Sequence, residues 1–222
     1  ARLGKVEEAE ALNRQVIEIS RRVLGADHPG TLKAMVNLGN VYSRQGRHQE
    51  AEALYRQVLD ASVRVYGPEH PETLRALGDL ANACISQGRF PEAEPLYRQA
   101  LGISRRVLGP EHPDTLRAMH GLANACAGQG RYEEAEALHT EGLEISRRVL
   151  GPDHPDTLGT IYNLACTAAL RGDRPAALRR LGEAVDAGFG TPRMIEADDD
   201  LKSLRAEPEF RAIVARAAKN PG

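Results

Sequence analysis

The sequence predicts an all-α chain, a solenoid of antiparallel helix pairs, and three observations carry that expectation. The run His-Pro-x-Thr-Leu occurs four times, starting at His28, His70, His112 and His154, at a constant spacing of 42 residues. A fixed period of about 20–50 residues marks an array in which each unit buries its apolar face against its neighbours. Between consecutive runs, apolar residues recur at helical spacing on either side of a Gln-Gly-Arg turn. Ala, Leu, Glu and Arg abound, aromatic residues make up 4%, and Trp is absent, a composition of helices rather than sheets.

The first helix is expected from about Lys5 to Leu24, with Val6, Ala9, Leu12, Val16, Ile19 and Val23 on one face and Gly25 as its stop. It reads as the second helix of a pair, with Gly4 left from the turn, so the chain opens in mid-repeat, as an excised piece of a longer protein would. From His28 the signature starts a helix. Pro29 occupies a first turn, where its missing N–H is tolerated, and in later copies Glu72, Asp114 and Asp156 set a carboxylate against the positive helix end. Leu32, Met35, Leu38, Gly39 and Tyr42 mark the buried face, and Gln45-Gly46-Arg47 breaks the helix. A second helix carries Ala51, Leu54, Tyr55, Val58, Leu59 and Val63 up to Gly67-Pro68, a stop that recurs at Gly109-Pro110 and Gly151-Pro152. Small residues fall into two columns where paired helices must approach: Gly39, Ala81, Ala123 and Ala165, and Ala51, Ala93, Ala135 and Ala177.

The pattern Asn37-Leu38-Gly39, Tyr42, Gly46, Ala51, Tyr55 resembles the tetratricopeptide repeat (TPR). The 42-residue length, the Leu-Gly-Pro-Glu-His-Pro linker and the Glu-Ala-Glu run resemble its kinesin-light-chain type. That resemblance implies a right-handed α-solenoid, a TPR superhelix, with the first helices lining a concave groove. The expected organisation is one solenoid domain over residues 1–222. It holds a half-repeat helix (1–27), repeats at 28–69, 70–111, 112–153 and 154–188, and a helical C-terminal cap (189–222). In the cap, short helices are expected near Arg193–Ala197, from Asp200 to Arg205 and after Pro208, with Asp199 or Asp200 capping the middle one. Phe210, Ile213 and Val214 should lie over the last repeat.

Composition excludes several classes. A net charge of −2 argues against nucleic acid, and no run reaches the ~18 apolar residues of a membrane span. Three cysteines make no disulfide framework and fit a reducing, cytoplasmic setting. Cys84 and Cys126 share the buried column of Tyr42, whereas Cys166 shares that of Asn40 and is expected at the surface. The acid-His-Pro triplets sit on separate loops, too far apart to hold one metal ion, and Asp198-Asp199-Asp200 lacks the glycine and glutamate of a calcium loop. No nucleophile constellation, phosphate loop or cofactor motif stands out, so no enzyme, metal or cofactor is expected.

With the groove geometry that the resemblance implies, Lys33, Arg75 and Arg117 form one inward column and Asn40, Asn82 and Asn124 a second, seven residues further along the same face. Carboxamides suit the repeating amide of a peptide and cations suit acidic side chains. Asn37 matches the family's asparagine before the leucine, Asp79 interrupts that column, and both complete the expected site. Val36, Gly78 and His120 stand where the co-chaperone type carries its lysine, which speaks against a clamp for chaperone tails. The expected function is a non-catalytic protein–protein interaction scaffold, monomeric, binding an acidic peptide, extended or short helical. The alternative is a regulatory or self-assembling appendage of a larger signalling protein.

Overall fold

The structure, a computed structural model, describes residues 2–220, with side chains from Glu8 onward. Val6, placed on the apolar face of the first helix, therefore lies outside the described side chains. Eleven α-helices follow one another among the described residues: α1 (Arg2–Leu24), α2 (Pro29–Arg44), α3 (His48–Tyr66), α4 (Pro71–Ser86), α5 (Phe90–Val107), α6 (Pro113–Gly128), α7 (Tyr132–Val149), α8 (Pro155–Arg171), α9 (Arg174–Asp186), α10 (Pro192–Ala197) and α11 (Pro208–Ala217). A 3-10 turn spans Asp199–Leu204, and no strand occurs among the described residues. Within each unit consecutive helices pack on one another, α1 to α5 in the first and α7 to α9 in the second, the all-α class of helix pairs that the period predicts. α1 starts at Arg2, so Gly4 lies inside the helix and not in a turn.

The His-Pro-x-Thr-Leu signature is a joint between helices. In each copy the histidine is the N-cap: His28, His70, His112 and His154 accept through Nδ1 from the backbone N–H two residues on, at 3.1–3.2 Å. The threonine then reaches back to the end of the preceding helix. Thr31, Thr73, Thr115 and Thr157 donate through Oγ1 to the carbonyls of Gly25, Gly67, Gly109 and Gly151 at 2.7–2.8 Å. All four threonines are buried, so each bond pairs a carbonyl just past a helix end with a side-chain donor. At the other end of each first helix, Gly46 takes a left-handed φ of 76°. Arg47 N–H bonds the Tyr42 carbonyl and Gly46 N–H that of Ser43, a Schellman closure repeated at Gly88 and Gly172.

The turn arginine has a further task. Arg47 grips Glu50 of its own helix at 2.5 Å and Glu10 of α1 at 2.7 Å, while its guanidinium lies 4.0 Å from the centroid of the Tyr42 ring. Arg89 repeats the clasp with Glu92 and Glu52, and Arg171 holds Glu136 together with Asp173. The Gln-Gly-Arg turn and the Glu-Ala-Glu run are thus two halves of one contact between successive helix pairs. The alanine between the glutamates is fully buried at Ala51, Ala93 and Ala135, and so is Ala177, which keeps the register where the fourth repeat lacks the glutamates.

Two compact units divide the chain, Ala1–Ala118 and Met119–Gly222. The first centres on Ile17, Leu32, Met35, Leu38, Tyr42, Tyr55, Val58 and Leu80. The second centres on Ile161, Leu164, Leu178, Leu181 and Val185, over which the cap lays Ile195, Leu201, Leu204, Phe210, Ile213 and Val214. The cap differs from expectation in three ways. Its middle element is a 3-10 turn, its N-cap is Asp198, and Cys166 is buried at 8% exposure. The physical reason is one carboxylate: Asp198 accepts from the Tyr162 hydroxyl at 2.6 Å and from the Cys166 thiol at 3.8 Å, which draws the cap over the thiol. Burial, with Asp198 and Asp200 nearby, pushes the Cys166 thiol far up.

Candidate functional site

In the first unit, the first helices α2 and α4 and the start of α6 line a groove whose floor is made by α3 and α5. Two cavities lie in it. One, of about 430 Å³, is lined by Leu32, Lys33 and Val36 of α2, Val58, Ser62 and Tyr66 of α3, and Glu72, Arg75, Ala76 and Asp79 of α4. The other, of about 130 Å³, is lined by Leu74, Arg75, Gly78 and Asp79 of α4, Tyr97 and Ala100 of α5, and Asp114, Arg117 and Ala118 of α6. They are one pocket displaced by a repeat: Leu32 answers to Leu74, Lys33 to Arg75, Val36 to Gly78, Val58 to Ala100, Glu72 to Asp114, Arg75 to Arg117 and Ala76 to Ala118. The smaller volume goes with Tyr97, which lines the second cavity and is nearly fully buried.

Lys33, Arg75 and Arg117 are exposed on the lips of these cavities. Two of them are tied down. Arg75 binds Glu72 at 2.5 Å and Asp114 at 3.2 Å, and Arg117 binds the same Asp114, whose side chain is 5% exposed. Lys33 makes no ion pair among the described residues. Glu72 pairs with Arg75 alone and Asp114 joins both arginines, contacts beyond the helix-dipole role expected of these acids. Their spacing, three residues before each arginine, is the signal that pairs them.

The carboxamide column is reached differently. Asn40 Oδ1 accepts from the Tyr55 hydroxyl at 2.7 Å and Asn82 Oδ1 from the Tyr97 hydroxyl at 2.5 Å. The oxygens are thereby committed, and the NH₂ groups of both exposed asparagines donate to no described residue. Burial, with Asp79 adding to it, pushes the Tyr55 hydroxyl up to about 12 and moves Tyr97 the same way, so both stay donors. Asn124 is exposed and belongs to the second unit, where His139 stands in the register of these tyrosines. Asn37 is exposed on α2 and lines neither cavity. Asp79 lines both. Burial raises its carboxyl to about 6, against the pull of Arg117 and Arg75. The structure thus gathers Lys33, Arg75, Asp79 and Arg117, and leaves Asn37, Asn40, Asn82 and Asn124 outside the cavities.

Cys166, Asp198 and Asp200 bring a thiol and two carboxylates within 4.8 Å of one another in the second unit. Asp198 is already bonded to Tyr162 and to the backbone N–H of Asp200, so the group holds the cap in place. Cys84 and Cys126 are buried, unbridged thiols.

The sequence profile described as tetratricopeptide repeat matches residues 1–62, 44–106, 79–147 and 123–187. The chain belongs to the tetratricopeptide repeat family. Among solved structures it is similar to the nearly identical TPR-like repeats of a Podosopora anserina protein assigned as a kinesin light chain. That structure has 31% identity, 84% of this chain and 88% of that one covered, and a TM-score of 0.67, while a form of it carrying one substitution gives 0.70. BtubC (BKLC) from P. vanneervenii shares the fold at 20% identity, with 96% and 89% of the two chains covered and a TM-score of 0.74. No curated protein sequence matches the chain. Tetratricopeptide repeats are in general non-catalytic scaffolds for protein–protein interaction, and no described helix is long and apolar enough to cross a membrane.

Proposed function

We propose that the protein is a non-catalytic, monomeric, cytoplasmic interaction module whose first unit holds an acidic peptide, extended or short helical, along the groove of α2, α4 and α6. The observation that carries this reading is the recurrence of one pocket at one repeat's displacement, with an apolar floor and a cation on each lip. A ligand of periodic backbone meets the same surroundings twice, and its carboxylates meet Lys33, Arg75 and Arg117 in turn. Free amide NH₂ groups of Asn40 and Asn82 supply donors for its carbonyls. Three buried, unbridged thiols fit a reducing compartment.

A peptide array graded in net charge tests the reading, and acidic members should be retained, less so as salt rises. Lys33→Glu should weaken the best binder about tenfold, a loss of about 1.4 kcal/mol. The pair Arg75→Gln and Arg117→Gln should do the same while spectroscopic helicity is unchanged. Glutamine is the better substitute because glutamates there would face the buried Asp114 without a counter-charge. Retention blind to charge, or affinity untouched by both variants, would discard the groove.

A further inference from the structure

Asp79 is the groove side chain that an acidic ligand leaves unused. It lines both cavities of the first unit, yet its carboxylate makes no hydrogen bond and no ion pair with any described residue. The other acids of the groove are engaged, Glu72 by Arg75 and Asp114 by Arg75 and Arg117. Both guanidiniums act on Asp79 through space, but each is held by those acids. The fold itself does not call for a carboxylate at this register, since Asn37, Gly121 and Asn163 occupy it elsewhere. An acid kept largely out of water without a partner costs stability. A positively charged donor entering the cavity would satisfy it.

We propose that Asp79 is a cation subsite: the segment bound in the groove carries one Lys or Arg among its acidic residues, and that cation docks on the Asp79 carboxylate. The inference rests on the acidic-peptide reading and deepens it. With the cation seated, flanking carboxylates of the ligand meet Lys33 on one side and Arg117 on the other. The ligand's order of acid, base, acid then mirrors the groove's order of Lys33, Asp79, Arg117. Such a pattern excludes uniformly acidic segments, which would bring a like charge against Asp79.

The probe is a fluorescein-labelled peptide of Glu, Ser and Leu with one norleucine, which is replaced by Lys at each position in turn, read by anisotropy. At one position Lys should bind the native protein about tenfold tighter than norleucine, equivalent to about 1.4 kcal/mol. That gain should vanish in Asp79→Asn and in Asp79→Gly, residues that the same register already tolerates. It should also shrink as pH falls through about 6, where the carboxyl takes up its proton. The groups facing Asp79 are Glu72 and Arg75 of its own helix, Tyr55 of α3, Tyr97 of α5, and Asp114 and Arg117 of α6, with Lys33 of α2 on the lip. Both tyrosines ionise far above that window. Equal binding of the Lys and norleucine peptides at every position, or a gain that survives both Asp79 variants, overturns the subsite and leaves the groove standing. Failure of all these peptides to bind the native protein removes the groove reading and the subsite together.

Discussion

A chain of hydrogen bonds fixes the tautomers of His120 and His139 in the second unit. Thr160 Oγ1 donates to the Asp156 carbonyl at 2.8 Å, so the contact with His120 Nε2 at 3.2 Å requires the ring N–H to donate. His120 Nδ1 is then the acceptor for His139 Nδ1–H, 3.4 Å away. His139 Nε2 is left as a bare lone pair, buried and without a partner among the described residues. Burial, with His120 beside it, lowers His139 to about 3, and burial lowers His120 as well. Because the unfolded chain takes up protons first, the neutral pair's contribution is fully present above about pH 6.5 and is lost as pH falls toward about 3. The substitution that should remove this dependence is already written in the repeats. Val36, Tyr55 and Val58 become His120, His139 and Gly142, and a Cβ on Gly142 would come within 2.9 Å of His120. Gly142 lies against His120, so His120→Val, His139→Tyr and Gly142→Val are made together to restore the side chains of the first repeat. In the triple variant, the fall of Tm between about pH 6.5 and 4 should flatten relative to the native protein. An unchanged Tm profile would show that this pair does not govern acid stability.

At the level of the element, the joint made by His-Pro-x-Thr-Leu sets helix boundaries, and Thr73 offers the clean test. Its hydroxyl is buried and bonds the Gly67 carbonyl at 2.7 Å, so Thr73→Val keeps shape and leaves that carbonyl unpaired. The expected cost is about 1–2 kcal/mol in urea unfolding, and a change within error would reduce the threonine to packing alone. The same joint explains how far the fold is legible in the chain. A capping histidine, a first-turn proline and a left-handed glycine are local, and they recur, so α2 to α9 can be read directly. The cap is less legible, because its turn depends on Asp198 reaching Tyr162 and Cys166, contacts that no period registers. The groove is half legible for a related reason. Exposed cations stand in a column, but Asp114 bridges Arg75 and Arg117 across 39 and 3 residues, and only folding brings the longer contact about. In the sequence Asp79 is a break in an asparagine column, and its unpaired state emerges only once the helices around it are in place.

Across the whole molecule, the repeat supplies its own control for what burial does. Leu12, Val16 and Ile19 of α1 share the registers of Leu54, Val58 and Ala61 in α3, at the constant spacing of 42 residues. In α3 that face packs in the core with α2, and Val58 is 4% exposed. In α1 the same face is open: Leu12 is 54%, Val16 47% and Ile19 46% exposed, while the residue that turns inward is Ile17, at 7%. Helical periodicity therefore finds the apolar stripe of α1 but cannot say which part of it is covered, since covering is a property of the neighbour. Identical chemistry at one register should then give opposite results. Val58→Asp places an unpaired charge in the core and should cost about 3 kcal/mol or more. Val16→Asp meets water and should change stability by no more than about 0.5 kcal/mol. Chemical denaturation of the two variants side by side measures both, and a comparable loss at Val16 would mean that the face of α1 is covered in solution.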